Sequence, residues 1–166
     1  MKTTVRSLIK SFRYALRGLA LTISGERNMR IHLVMAAYLL FFSLFYRFSC
    51  VEYAILLIAF TLVFVSEIIN TAIETLVNLQ TSSYNHLARN AKDISAGAVL
   101  ICAVFAVLIG ICLFWNPDVL LHILRFVFLD LWHLLVFLLT LVLSLIFIFI
   151  GPKKLRTYFR FKHGGN

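Results

Sequence analysis

Acidic side chains are scarce in this chain: 7 Asp and Glu stand against 16 Lys and Arg in 166 residues, and all charged residues together make up only 14%. With 61% hydrophobic residues and a mean hydropathy of +0.93, that scarcity excludes a soluble domain, whose interior at this length is too small to hide so much apolar surface. Proline is rare too, at 2 residues, and no internal repeat or low-complexity linker divides the chain. The 3 cysteines, Cys50, Cys102 and Cys112, are odd in number and lack CxxC or histidine-paired spacing, which leaves them as small side chains in apolar surroundings. Neither a GxxxxGKS/T loop nor the HRD and DFG set of protein kinases occurs, so a soluble nucleotide-binding fold is excluded.

What the chain has instead is a series of charge-free runs: Ile31 to Tyr46, Tyr53 to Ser66, Ile94 to Pro117 and Leu131 to Pro152. With their flanks, each approaches the roughly 20 residues a helix needs to cross a bilayer. The expected fold class is therefore an all-α integral membrane protein with spans at about 31–48, 52–78 and 94–115 and a fourth at about 131–151. The first run begins only after a long basic region and has no small-residue cleavage site, so it reads as a retained span and not as a signal. Before it, Val5, Leu8, Ile9, Phe12, Leu16, Leu19 and Ile23 recur at helical spacing with Arg6, Lys10, Arg13 and Arg17 between them. That pattern predicts an amphipathic surface helix over residues 5–24. A slightly polar outer helix is expected from Val119 to Leu129, near His122, Arg125, Asp130 and His133, which read as interfacial anchors.

Orientation follows from where the cations lie. Lys2, Arg6, Lys10, Arg13, Arg17, Arg27 and Arg30 precede the first span, and Lys153, Lys154, Arg156, Arg160 and Lys162 follow the last, so both termini are expected in the cytoplasm. Four spans satisfy that parity, placing the Arg47 to Glu52 connection outside and the Thr81 to Asp93 loop inside. The net charge of +9 is accordingly read as topology and attraction to anionic membrane lipids, with no nucleic acid as partner.

Against this background the second span carries an expensive group of residues. Taking Glu67 as zero and about 100° per residue, Asn70 falls near −60°, Glu74 near −20° and Asn78 near +20°, so all four share one narrow face. A carboxylate at membrane depth costs at least a few kcal/mol, so such a stripe faces a protein interior or a wet cavity and marks a functional site. Glu26 arrives at the same membrane level as Glu74 after the Ser24-Gly25 break. A hard cation such as Mg2+ takes oxygen ligands, commonly one or two carboxylates together with substrate phosphates, and Glu26 and Glu74 have that chemistry. Lys92 adds a cation for phosphate oxygens, with Asp93 as a carboxylate to orient it, and Glu67, deeper than Glu74, is placed to accept a proton from a hydroxyl at the membrane surface. These are parts for phosphoryl transfer to a lipid alcohol. The same residue types also build ion or proton pathways, and that alternative stays open on chemistry alone.

Three blocks in order, Glu26-Arg27-Asn28-Met29-Arg30-Ile31-His32, then Glu67-Ile-Ile-Asn70-Thr-Ala-Ile-Glu74, then Leu87 to Val99 with Lys92-Asp93 at its centre, resemble the small prokaryotic diacylglycerol kinase family. The resemblance covers roughly Ser11 to Trp115 and makes 1–115 a membrane lipid kinase domain, with 116–166 an appended segment ending in a basic tail. It implies ATP as co-substrate, Mg2+ as cofactor, a homotrimer with shared active sites, and a place in the bacterial inner membrane. It also implies Glu67 as general base, Glu26 and Glu74 as metal ligands, and Asn70, Lys92 and Asp93 in the nucleotide and catalytic site. Tyr14 and Ser83-Tyr84-Asn85 fall where the family holds the adenine and phosphates. The ERN…H lead-in and the NTAIE run are similar to the family's undecaprenol kinases, which points to undecaprenol as acceptor, with diacylglycerol the alternative. Asn78 departs from the family, where many members carry Asp, and the segment after Trp115 extends beyond its usual end.

Overall fold

The structure is a computed structural model that describes the backbone of residues 2–80 and 85–151, and the side chains of residues 7–80 and 85–151. Within these bounds six helices follow one another: α1 Lys2–Gly25, α2 Arg27–Tyr46, α3 Cys50–Gln80, α4 His86–Phe114, α5 Pro117–Phe128 and α6 Leu131–Ile150. No strand occurs among the described residues, and α2, α3, α4 and α6 are each long and apolar enough to cross a membrane. The fold is all-α and multi-pass. The expected surface helix is α1, whose Leu8, Ile9, Phe12 and Leu16 lie exposed along one helix, as an apolar stripe seated on a membrane surface requires.

The core is a seam of small and apolar side chains at helical spacing. On α3 the buried residues Leu56, Ala59, Val63, Glu67 and Asn70 recur every three or four positions and form one stripe, apolar at one end and polar at the other. Their main neighbour is α4, the helix with which α3 packs most extensively, and α4 contributes buried Ser95 and Val99. On α2 the buried Met29, Ala36 and Ser43 stand seven residues apart. In a bilayer, helix association has little hydrophobic drive, and alanine and serine at these contacts let backbones approach closely.

The ends of the helices are closed by local chemistry. At the start of α3 the Glu52 carboxylate accepts from the Ser49 amide and hydroxyl, both at 2.7 Å, and the Glu52 amide donates to Ser49 Oγ at 3.3 Å, a reciprocal capping box. Nearby the Tyr46 hydroxyl donates to the Phe114 carbonyl at 3.0 Å and joins the ends of α2 and α4. At the other end of the bundle the Asn85 side chain accepts from the amides of Leu87 and Ala88 and starts α4. Helix α4 therefore begins two turns before the apolar span expected from about residue 94, and its first, capped turns are polar. The outer helix starts at Pro117, with Asn116 as its cap, instead of at Val119.

The described part of the appended segment, residues 116–151, is a helical hairpin. Ile123 and Val127 of α5 are buried, Phe126 lies 5.3 Å from Phe45 of α2, and the Tyr38 and Ser144 hydroxyls meet at 3.2 Å, joining α2 to α6. Asp130 caps α6 through the Trp132 amide and pairs with His133 at 3.2 Å. No residue of α6 is buried, so its apolar surface is presented to the bilayer.

Candidate functional site

Helix geometry sets the depth of the acids. At about 1.5 Å per residue, Glu67 lies about 26 Å along α3 from Cys50 and Glu74 about 36 Å, against a hydrocarbon core of roughly 30 Å. With Cys50 taken at the opposite boundary, this length would put Glu67 near the edge of the apolar slab and Glu74 beyond it.

Glu67 is only 1% exposed, and neither carboxylate oxygen has a hydrogen-bond partner among the described residues. It opens onto a cleft of about 280 Å³ lined by Asn28, Ile31 and His32 of α2, Asn70 of α3, and Ala96, Val99, Leu100 and Ala103 of α4. One wall of that cleft is thus polar and the other apolar, which suits a hydroxyl carried on a hydrocarbon chain. Glu26 at the α1–α2 corner and Glu74 toward the end of α3 lie at the same end of the antiparallel α2–α3 pair as Glu67.

Asn70 is the hub of the polar wall. The Ser95 hydroxyl lies 2.6 Å from Asn70 Oδ1 and 2.9 Å from the Lys92 carbonyl, and Asn70 Nδ2 donates to Glu74 Oε1 at 3.4 Å. With a donor on its oxygen and a carboxylate beside its nitrogen, the orientation of the amide is determined by its neighbours. Lys92 Nζ donates to Asn78 Oδ1 at 2.7 Å, across the gap between α4 and α3. Asp93 pairs with Arg89 at 3.7 Å, because residues four apart share a helix face. Asn78, where the resemblance leads one to expect Asp, is thus the lysine's partner here, through an amide oxygen.

The remaining expected residues are distributed as follows. Tyr14 is exposed on α1, Asn85 has its side-chain oxygen engaged in capping α4, and Ser83 and Tyr84 lie outside the described residues. Glu26 is the single residue between α1 and α2, with extended backbone, and its side chain does not cap α2. Among the described residues, no three His, Cys, Asp or Glu side chains form a metal-binding cluster. Glu26 and Glu74 nonetheless have the oxygen donors that Mg2+ takes, with much of its coordination left to phosphates and water. Sequence reasoning missed Ser95, Asn28 and His32 as site residues. Asn28 and His32 belong to the Glu26 to His32 block, but only packing shows that they face Glu67; Ser95 stands one turn after Lys92 and resembles any helix serine until Asn70 is opposite it.

The family model described as prokaryotic diacylglycerol kinase matches residues 13–114. A diacylglycerol kinase from Synechocystis is 38% identical over 112 residues, covering 67% of this chain and 64% of that enzyme, so the match spans somewhat less than two thirds of that relative. An undecaprenol kinase from Bacillus subtilis is 35% identical over 113 residues, covering 68% of this chain and 92% of the relative. A diacylglycerol kinase from Escherichia coli is 29% identical over 109 residues, covering 66% and 89%. Helices α5 and α6 fall outside the residues matched by the family model. With more than half of its length matched, and the matched part holding every acid of the site, the chain belongs to the prokaryotic diacylglycerol kinase family, whose relatives named here are lipid kinases.

Proposed function

We propose that the protein transfers the γ-phosphoryl group of ATP to the hydroxyl of undecaprenol at the cytoplasmic surface of a bacterial inner membrane, with Mg2+ as cofactor. The observation that carries this reading is Glu67, a carboxylate without a hydrogen-bond partner at the wall of a cleft that is polar on one side and apolar on the other. A lipid hydroxyl entering there donates to Glu67. As the hydroxyl oxygen forms its bond to the γ-phosphorus, the bond from that phosphorus to the bridging oxygen of ADP breaks, and the hydroxyl proton passes to the Glu67 carboxylate.

The chain's other residues have supporting roles in this scheme. Glu26 and Glu74 hold Mg2+, which supplies charge neutralisation to the phosphates when bound. Lys92, steered by Asn78, meets phosphate oxygens, and Asn70, fixed by Ser95, keeps Glu74 in place. Tyr14, Ser83, Tyr84, Asn85 and Asp93 are assigned to nucleotide contact on the family pattern. We read the active unit as a homotrimer with shared sites and both termini in the cytoplasm.

Undecaprenol is favoured by the Bacillus subtilis relative, 92% of which is matched, and by the ERN…H block, whose His32 lines the cleft. The Synechocystis relative, at 38% identity, favours diacylglycerol as a second reading, with the same mechanism and phosphatidic acid as product. Labelled-phosphate transfer in mixed micelles, with each alcohol offered separately and with or without Mg2+, tests both. Mg2+-dependent labelling of undecaprenol above diacylglycerol is expected. The reverse preference overturns the acceptor assignment, and labelling of neither overturns the kinase reading.

A further inference from the structure

The guanidinium of Arg30 joins two helix ends that are far apart in the sequence. Arg30 is 7% exposed, and its partners are backbone carbonyls: Nη1 donates to Ile23 at 3.0 Å and Ser24 at 3.2 Å, and Nε donates to Ile148 at 3.0 Å. Ile23 and Ser24 lie in the last turn of α1, and Ile148 in the last turn of α6. Carbonyls there lack intrahelical donors and form the negative ends of the helix dipoles, so one cation satisfies both ends.

The chain at residue 151 is fitted to this arrangement. Gly151 caps α6 with φ 59° and ψ 171°, in the region that glycine alone adopts readily. A Cβ there would stand 2.9 Å from Arg30 Nη1 and 3.0 Å from its Cζ, so any other residue displaces the guanidinium.

The consequence falls on Glu26. It is the only residue between α1 and α2, its backbone is extended at φ −102° and ψ 123°, and its amide donates to the Thr22 carbonyl at 2.8 Å. With so short a corner, the angle between α1 and α2 sets where the Glu26 carboxylate points. Arg30, one turn into α2, holds the end of α1 against α2, and α6 holds Arg30.

We propose that the appended α5–α6 hairpin is a brace for the phosphoryl-transfer site, acting through Ile148, Gly151 and Arg30 to position Glu26. Arg30 and Gly151 are positioning residues, and the inference rests on the proposed role of Glu26 in holding Mg2+. It gives the segment outside the family match a function that lipid-facing packing alone does not.

The test uses the full-length protein in micelles and compares Gly151→Val, the milder Gly151→Ala, and Arg30→Lys with the parent. Hydrogen exchange at the Glu26 amide is the first readout and needs no activity; the Mg2+ concentration at half-maximal transfer is the second. All three variants are expected to exchange faster at Glu26 with protection around Glu67 in α3 unchanged. Gly151→Val is expected to need roughly tenfold more Mg2+, the equivalent of one lost charge-assisted hydrogen bond, with kcat at saturating Mg2+ nearly retained. Parental exchange at Glu26 in the Gly151 variants overturns the brace. Faster exchange with parental Mg2+ dependence, or a fall in kcat alone, overturns its link to the site. If the parent protein transfers no phosphate, the proposed function fails, and the exchange readout still decides the brace.

Discussion

Asn70, at 8% exposure, links α4 to the acidic stripe, accepting from Ser95 and donating to Glu74. Ser95→Ala removes the donor to its Oδ1 and leaves a buried acceptor, a loss of about 1–3 kcal/mol. The expected result is a lower midpoint of thermal unfolding in detergent together with reduced kcat; an unchanged midpoint would mean that water or a neighbouring side chain replaces the hydroxyl. At the rim, Asn78→Ala releases Lys92 Nζ, whereas Asn78→Asp keeps an acceptor and adds charge. Steady-state kinetics should show KM for ATP rising severalfold in the alanine variant and staying near the parental value in the aspartate variant, with kcat little altered in either. Equal KM values for all three would remove Lys92 from phosphate binding. The acidic stripe was legible in the sequence because helical periodicity and the cost of charge in lipid both single it out. The partner of Lys92 was not, since it depends on which residue of α3 lies opposite the second turn of α4, and Asp93 next to it in sequence points along its own helix to Arg89.

For whole elements, the α3–α4 seam determines how accurately the site is held. Ala59, 3% exposed, lies two turns from Glu67 on the same stripe. Ala59→Leu forces extra volume into that contact at a cost of about 1–3 kcal/mol, and the change should propagate to the cleft. Lower thermal stability in detergent and a loss of transfer rate are expected together, and parental values of both would show that the seam is loosely packed. Four spans, the surface helix and the short outer helix could be read from charge-free runs and amphipathic periodicity. Where the reading fell short was at helix starts such as Asn85 and Asn116, whose caps belong to polar turns that hydropathy does not register. The docking of α6 was also hidden, because a uniformly apolar helix with no buried residue carries no pattern that names its neighbour.

The whole molecule brings together acids from two places, the α1–α2 corner and the far half of α3, and sets a lysine of α4 beside them on α3. On the proposed function, the polar residues of the cleft would meet the phosphates at the membrane boundary while its apolar α4 wall takes the hydrocarbon, so a long lipid would present its hydroxyl without leaving the bilayer. Family membership makes lipid phosphorylation the chemistry to test, and Glu67 is the residue the proposed function puts at its centre. The decisive comparison is Glu67→Gln against the parent protein in micelles, measuring ATP binding and phosphate transfer side by side. The amide matches the carboxylate in shape but cannot take the hydroxyl proton, so ATP should bind as in the parent while kcat falls about 10²-fold or more. Transfer within a few-fold of the parental rate would contradict the account, because a carboxylate buried without partners would then have no part in the reaction.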